Sequence, residues 1–319
     1  MLEAILTLAR GRVVSGHPQE RTGPALEGWN IEAVTKSDMA EMAPVMLKTR
    51  WHRGLDRRVG DIEVTAADMS RELMVACLNW DSHGLIANGP DDRRRFLDWA
   101  LFHVEQDYGA LWVRWRRLLR QRNRALQERA SRQTVSAWDE SLSEAAESIT
   151  RRRGQLVEFL ANSLGSDSSV TVADVSLELA FDPGWDRQIS YRDVLRQQLE
   201  QDQQRGRTGY GPQRANLQLC SGDQKASSLS RGQQKLALAS ILLAACRRII
   251  SVTGQAPILM VDDFESELAG AAKRKLAAAL LRYPGQLLLT QHLDDRELWN
   301  NEPLKVFHVE HGQVTAALN

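Results

Sequence analysis

Two adjacent carboxylates, Asp262 and Asp263, close an apolar run in Ala256-Pro-Ile-Leu-Met-Val-Asp-Asp263. The four apolar residues 258–261 predict a strand buried on both faces, of the parallel-sheet type. The C-terminal ends of such strands are where open α/β sheets place their ligands. In nucleotide hydrolases a carboxylate so placed holds Mg²⁺, and its neighbour orients an attacking water. The pattern is not specific by itself, because many buried strands end in aspartate.

A second element raises the specificity. Leu229-Ser-Arg-Gly-Gln-Gln-Lys235 precedes a run, Leu236 to Cys246, that is apolar on nearly every face and therefore belongs inside a protein as a helix. Ser230 stands where a helix cap is expected and Gly232 falls in the first turn. Free N–H groups there form an anion site that glycine leaves open to close approach. Leu287-Leu-Leu-Thr290 predicts a further core strand, with Gln291 and His292 at its end. A lone histidine after a strand is more often structural than functional.

Composition sets the frame for these elements. The chain has 319 residues, 43% hydrophobic and 26% charged, which suits two packed globular units. Lysine plus arginine and aspartate plus glutamate number 41 each, so any electropositive surface must come from uneven placement. The three cysteines, Cys77, Cys220 and Cys246, are far apart and the seven histidines scattered, which favours neither disulfides nor structural zinc. No secretory signal pattern opens the chain and no uncharged apolar run reaches bilayer length. A soluble protein of the reducing cytoplasm, with no membrane partner, is the expectation.

Along the chain, Leu2 to Leu8 predict a helix that Gly11 ends. Residues 13–69 read poorly, with Asp61-Ile-Glu-Val-Thr65 as a candidate strand. From Arg93-Arg-Arg-Phe-Leu-Asp-Trp99 a helical pattern runs to about Ala130, carrying Trp115, Leu119 and Leu126 at helical spacing. A polar break over Ser131 to Ser136 leads to a second helix with Leu142, Ile149, Leu156 and Leu160, which predicts an antiparallel hairpin. Alternation at Val175, Leu177, Leu179 and Phe181, ended by Asp182-Pro-Gly184, predicts a strand, and Tyr191 to Gln204 a polar helix. Arg114, Arg116, Arg117, Arg120, Arg122 and Arg124 occupy positions between the apolar ones of the first long helix. A solvated face is the ordinary reading. The functional one makes Arg114, Arg117 and Arg120, with Arg93 to Arg95, a basic patch for DNA phosphates.

Ser-x-Gly-Gln before a buried helix, about 30 residues ahead of a strand ending Asp-Asp, resembles the signature motif and Walker B strand of ABC-type ATPases that act on DNA. Arg94 to Trp99 with Phe102-His-Val-Glu105, Arg120-Gln-Arg-Asn123, Gly211-Pro-Gln-Arg214, Asp263-Phe-Glu-Ser-Glu-Leu268 and Phe307-His-Val-Glu-His-Gly312 resemble the bacterial RecF family, in family order. The resemblance implies an α/β, SMC-like P-loop ATPase head with an inserted helical lid: 1–90 as the rest of an N-terminal lobe, 91–205 as lid, 206–319 as C-terminal lobe. It implies ATP and Mg²⁺ as ligands, with Asp262 on the metal and Asp263 beside it as catalytic carboxylates. Ser230, Arg231, Gly232 and Gln233 would contact ATP held by a second subunit, and His292 would sense the terminal phosphate. Single-stranded and gapped duplex DNA, RecR and RecO are the implied partners, with an ATP-dependent homodimer helping to load RecA.

Departures from that pattern carry their own expectations. Leu2-Glu-Ala-Ile5 and Gly11-Arg12 match the helix that follows the family's Walker A loop, so Met1 stands where that helix emerges. Gly-x-x-x-x-Gly-Lys is absent from these 319 residues, as is the strand that leads into it. Ala269 stands where the D-loop ends in Asp, Gln213 and Asn216 replace His and Asp, and Ala76 lies near the place of a Q-loop glutamine. These departures lead to an impaired ATPase as the first reading and to a non-catalytic interaction protein or degenerate paralogue as the second. A transporter-type ATPase is disfavoured by the long lid. Because the nucleotide is sandwiched between subunits in this class, the Asp262 strand and the Ser230 helix are expected to lie apart within one chain, on the same edge.

Overall fold

The computed structural model describes residues 1–14, 28–35, 43–78, 84–167, 170–292, 296–299, 304–310 and 313–316. Helix α1 (Leu2–Arg10) ends as its sequence requires, with Gly11 in the left-handed region (φ 56°) and its N–H on the Leu8 carbonyl. Strands β1 (Trp29–Thr35), β2 (Val45–Trp51), β3 (Leu55–Val59) and β4 (Ile62–Glu63) form an antiparallel meander, with Trp29 opposite Trp51 and Thr35 opposite Val45. Ile31, Ala33, Leu47 and Val59 face inward with Leu6, Leu8 and Met69. Charges pair on the outer face, Glu32 with Lys48 and Arg50 with Asp56. Only residues 62–63 of the segment expected as a strand at 61–65 are one. Thr65 instead caps α2 (Ala66–Glu72) through a reciprocal box with Asp68. Strand β5 (Val75–Leu78) follows.

The lid departs from its sequence reading at one informative place. After α3 (Gly84–Ala87), α4 (Pro90–Val104) does not run on to Ala130. Glu105 turns into extended backbone (φ −116°, ψ 114°), and α5 (Tyr108–Gln127) starts afresh. The turn brings the Tyr108 hydroxyl to Asp98 (2.5 Å), whose two oxygens also accept from the buried Arg153 (2.9 Å each). Arg153 lies on α7 (Asp139–Ser166), which packs along α5 as the expected antiparallel partner. The polar break between them is itself one helical turn, α6 (Arg132–Ser136), capped by Ser131 and anchored by the fully buried Val135.

Strand β6 (Glu178–Asp182) is shorter than the alternation from Val175 suggested. The polar helix is two, α8 (Tyr191–Gln197) and α9 (Leu199–Arg205), parted at Gln198. Arg122, expected on the surface, has no exposure and donates to Asp139 (2.8 Å), Asp202 (2.7 Å) and Thr208 (2.8 Å). Asn123 accepts from both the N–H and the hydroxyl of Thr208. A guanidinium removed from water needs such pairing, and the pairs here come from α7, α9 and the segment after it, although Arg122 Nη2 and Asp139 Oδ2 find no partner among the described residues. Of Arg93 to Arg95, the first two are spent inside the fold and Arg95 stays exposed. Arg93 donates to Asn216 (2.8 Å), Arg94 pairs with Asp91, and Arg95 with Asp92. Asn216 gives Arg93 a neutral acceptor, and burial, then the neighbouring Arg94, lowers its pKa.

Strands β7 (Asn216–Ser221) and β8 (Gln224–Lys225) extend β6 into a small antiparallel sheet against α4 and α7, and α10 (Arg231–Thr253) packs on α4, α7 and β5. By length and composition α10 is apolar enough to cross a membrane, but most of it is buried in the core. Strand β9 (Ile258–Val261) is the middle strand of a parallel sheet, between β5 and, beyond α11 (Gly270–Leu281), β10 (Leu287–Leu289). Its alternate residues enter different clusters: Leu259 and Val261 join Leu236, Ile241 and Leu276, whereas Met260 joins Leu8 and Leu47. Burial on both faces explains the unbroken apolar run. Strands β11 (Phe307–Glu310) and β12 (Gln313–Ala316) form a hairpin that exposes Phe307, Val309 and Val314. His311 and Gly312 of the quoted motif lie outside the described residues.

His103 lies buried at the base of the lid beside Trp99 and Phe102, its Nε2 without a partner among the described residues. Burial, reinforced by Arg71, pushes its pKa down to about 4, so it stays neutral in the folded protein. As pH falls below 6.5 the unfolded chain takes up this proton and the native state does not, so stability declines until pH 4. Denaturant titrations across that window are expected to show a loss of about 3 kcal/mol from this residue, absent in His103→Phe.

Candidate functional site

The carboxylates sit where a sheet bounded by dry strands must leave its polar end. Asp262, half-buried, is the first residue beyond β9, its N–H on the Leu78 carbonyl of β5. Thr290, the first residue beyond β10, holds the pair from the other side. Its hydroxyl donates to Asp262 Oδ1 (2.7 Å) and accepts from the Asp263 N–H (2.8 Å), and its carbonyl accepts from the Phe264 N–H. Among the described residues Asp262 Oδ2 has no hydrogen-bond partner. That leaves one carboxylate oxygen for a hard cation such as Mg²⁺, which takes one or two protein carboxylates and completes its shell with phosphate and water. No cluster of three metal-ligating side chains occurs among the described residues. Asp263 adopts φ 51° and lies 3.8 Å from Nε2 of the exposed His292.

Beyond the carboxylates the chain curls through residues 263–267 and closes with Glu267, also left-handed (φ 66°). Phe264 is fully buried against Trp299 (ring centroids 5.0 Å apart), which anchors the loop from below. Ala269 caps α11 without a side-chain hydrogen bond.

The Ser230 helix begins beside that loop. Ser230 Oγ accepts from the Gln233 N–H (3.3 Å) and Gln233 Oε1 from the Ser230 N–H (3.0 Å), a complete capping box. Gln234 fastens the approach by donating to the carbonyls of Ser227 and Leu229. Ser230, Arg231 and Gln233 are exposed, so the first turn faces solvent.

The expected separation of the two elements within one chain does not hold. A Cβ at Gly232 would stand 2.7 Å from the Glu267 carbonyl oxygen, and the Lys235 ammonium donates to the carbonyls of Asp263, Phe264 and Ser266. The physical reason is the loop itself, which folds back across the start of α10. Gly232 is therefore required by a close approach inside the chain, whatever it does for a phosphate.

Asp262, Asp263, His292 and the start of the Ser230 helix thus share one edge. Arg114, Arg117 and Arg120 lie elsewhere, on α5. Arg114 pairs with Glu144 (3.2 Å), while Arg117 and Arg120 are exposed and form no ion pair among the described residues. Thr290 and Lys235 are the residues whose roles the sequence did not reveal. Lys235 does leave one signal, as a charge inside an otherwise apolar buried helix.

Parallel sheet, capped buried helix and inserted helical hairpin together give the fold of an ABC-type P-loop ATPase head of the SMC kind. The fold is similar to the Smc head domain of Pyrococcus furiosus, at TM-score 0.52 and 13% identity over 99% of this chain and 85% of that one. It is closer to the solved recombination mediator protein RecF with ATP in the RecFOR pathway, at TM-score 0.84 and 20% identity over 99% and 87%. No family model matches the sequence. Curated relatives do: DNA replication and repair protein RecF of Xanthomonas euvesicatoria pv. vesicatoria (strain 85-10) is 36% identical over 99% of this chain and 88% of its own length. That of Stenotrophomonas maltophilia (strain R551-3) is 32% identical over 99% and 89%. The chain belongs to the RecF family.

Gly232→Ala tests the close approach. Forcing a methyl against the Glu267 carbonyl is expected to lower unfolding stability by roughly 1–3 kcal/mol. An unchanged denaturation midpoint would mean that the loop yields freely.

Proposed function

We propose that this chain works as a RecF-type recombination-repair protein in the cytoplasm, binding ATP and engaging DNA at single-strand gaps. The observation that supports this most directly is the shared edge of Asp262, Asp263, Thr290 and His292 with the exposed first turn of the Ser230 helix, on a chain of this family. Residues 91–205 act as a lid on two ATPase lobes, 1–90 and 206–319. Phosphoryl transfer in such heads is catalysed by positioning and charge stabilisation rather than by covalent chemistry. Asp262 offers its free oxygen to Mg²⁺, which neutralises phosphate charge when bound. Asp263 orients water, and His292 beside it reaches for the terminal phosphate. Ser230, Arg231, Gly232 and Gln233 present N–H groups and side chains to nucleotide carried by a second subunit, so the working form is an ATP-dependent dimer. RecR and RecO assist this dimer in loading RecA, as in the family. A second reading, a non-catalytic interaction protein with lid and dimer surfaces, is favoured by Ala269 where the family's D-loop ends in Asp.

The 319-residue chain is expected to hydrolyse ATP negligibly with Mg²⁺ and gapped DNA, because Gly-x-x-x-x-Gly-Lys, the motif that cradles the β- and γ-phosphates, does not occur in these 319 residues. A version carrying a family-type strand and Gly-x-x-x-x-Gly-Lys segment ahead of Met1 is expected to turn over, and to lose turnover in Asp262→Ala. DNA-stimulated hydrolysis by the 319 residues, abolished by Asp262→Ala, would overturn this reading.

DNA contact is tested on α5. Arg117→Ala with Arg120→Ala is expected to weaken duplex binding alike across sequences and to flatten its salt dependence by about one unit of slope per lost phosphate contact. Adding Arg114→Ala changes little more, because Glu144 already neutralises Arg114. Unaltered affinity and slope would leave α5 a solvated face.

A further inference from the structure

Lys235 is only 6% exposed, in the second turn of a helix whose following residues are nearly all buried and apolar. A methionine would fill that space without the cost of burying a charge. Its ammonium has three donors and no acceptor. All three are engaged by main-chain carbonyls of one loop: Asp263 (2.6 Å), Ser266 (3.0 Å) and Phe264 (3.2 Å). The carbonyls converge because residues at both ends of the loop, Asp263 and Glu267, take left-handed backbone that turns the chain around the ammonium. Such backbone is unfavourable for non-glycine residues and persists only where the surroundings hold it. Thr290 secures the loop on the sheet side, through the Asp263 N–H and the Asp262 carboxylate. Lys235 is its counterpart on the helix side. Burial lowers the Lys235 pKa, while Asp263, then Glu267 and Asp262, oppose that shift.

We infer that Lys235 is a positioning residue: a built-in cation that fixes the 262–267 loop and ties the placement of Asp262 and Asp263 to the first turns of the Ser230 helix. Whatever moves the start of that helix then moves the carboxylate loop with it. The consequence for nucleotide chemistry rests on the function proposed above, but the cage itself does not. It can be tested without nucleotide.

Hydrogen–deuterium exchange on the full chain is the measurement. In Lys235→Met, amides 263–268 and those opening α10 are expected to exchange at least about tenfold faster, with α4 and α7 unchanged, because three carbonyls lose a charged donor. Lys235→Arg, which keeps the cation, retains most of the protection. Lys235→Ala removes three carbons and the nitrogen, and propylammonium replaces them. Added propylammonium should therefore restore protection, and tetramethylammonium, which has no N–H, should not. Unchanged loop exchange in Lys235→Met would overturn the inference, as would equal rescue by both cations. If Lys235→Met does not fold, folding of Lys235→Ala that depends on propylammonium supports the cage, and folding indifferent to it refutes it. A wild-type chain with a protected loop but no affinity for MgATP or DNA would sink the proposed function and leave the cage standing.

Discussion

Strand β9 is buried from both sides, and much of the remaining architecture follows from that constraint. Leu259 and Val261 face the cluster built by α10 and α11, while Met260 faces the one built by α1 and β2. Each such side chain contributes about 1.5–3 kcal/mol when fully withdrawn from water, so the strand cannot slide without exposing one cluster or the other. A polar residue has no place until the strand ends. Asp262 and Asp263 therefore appear at the sheet's C-terminal edge, and β5 and β10 bring Leu78 and Thr290 up to meet them.

The loop beyond those carboxylates is held on three sides, by two polar contacts and one aromatic stack. Thr290 binds it from the sheet, Lys235 from the helix, and the Phe264–Trp299 stack closes the floor. Gly232 lets the helix start come within van der Waals reach of the Glu267 carbonyl. Two elements that act on different nucleotides in the proposed dimer are thus mechanically joined within one subunit. A displacement of the start of α10 would carry the carboxylate loop along.

A parallel arrangement governs the lid. Arg122 and Arg153 are both buried, and their partners come from α4, α7, α9 and the 208–212 segment. Buried guanidinium pairs of this kind are costly to break, because removing one partner strands a charge. They hold α5 and α7 against α4, α9 and the 208–212 segment. Of the arginines in the candidate basic patch, Arg95, Arg114, Arg117 and Arg120 remain exposed, and Arg117 and Arg120 form no ion pair among the described residues.

What the sequence by itself determined are the features set by local rules. The run 258–261 had to be a doubly buried strand, Ser230 and Gln233 had to cap a helix too apolar to lie outside, and Gly11 had to end α1. Those signals sit within a few residues of one another. Tertiary structure alone decided the rest. The β1–β4 meander was unreadable because paired charges, Glu32 with Lys48 and Arg50 with Asp56, cover its outer face and mask the alternation. The helical pattern runs unbroken through residues 105–107, yet the chain turns there so that Asp98, Tyr108 and Arg153 can meet. Arg122 reads as surface charge and lies in the core because Asp139 and Asp202 receive it. Thr290 and Lys235 gain their roles only from a loop folded back between sheet and helix, since no residue type announces which carbonyls will converge on it.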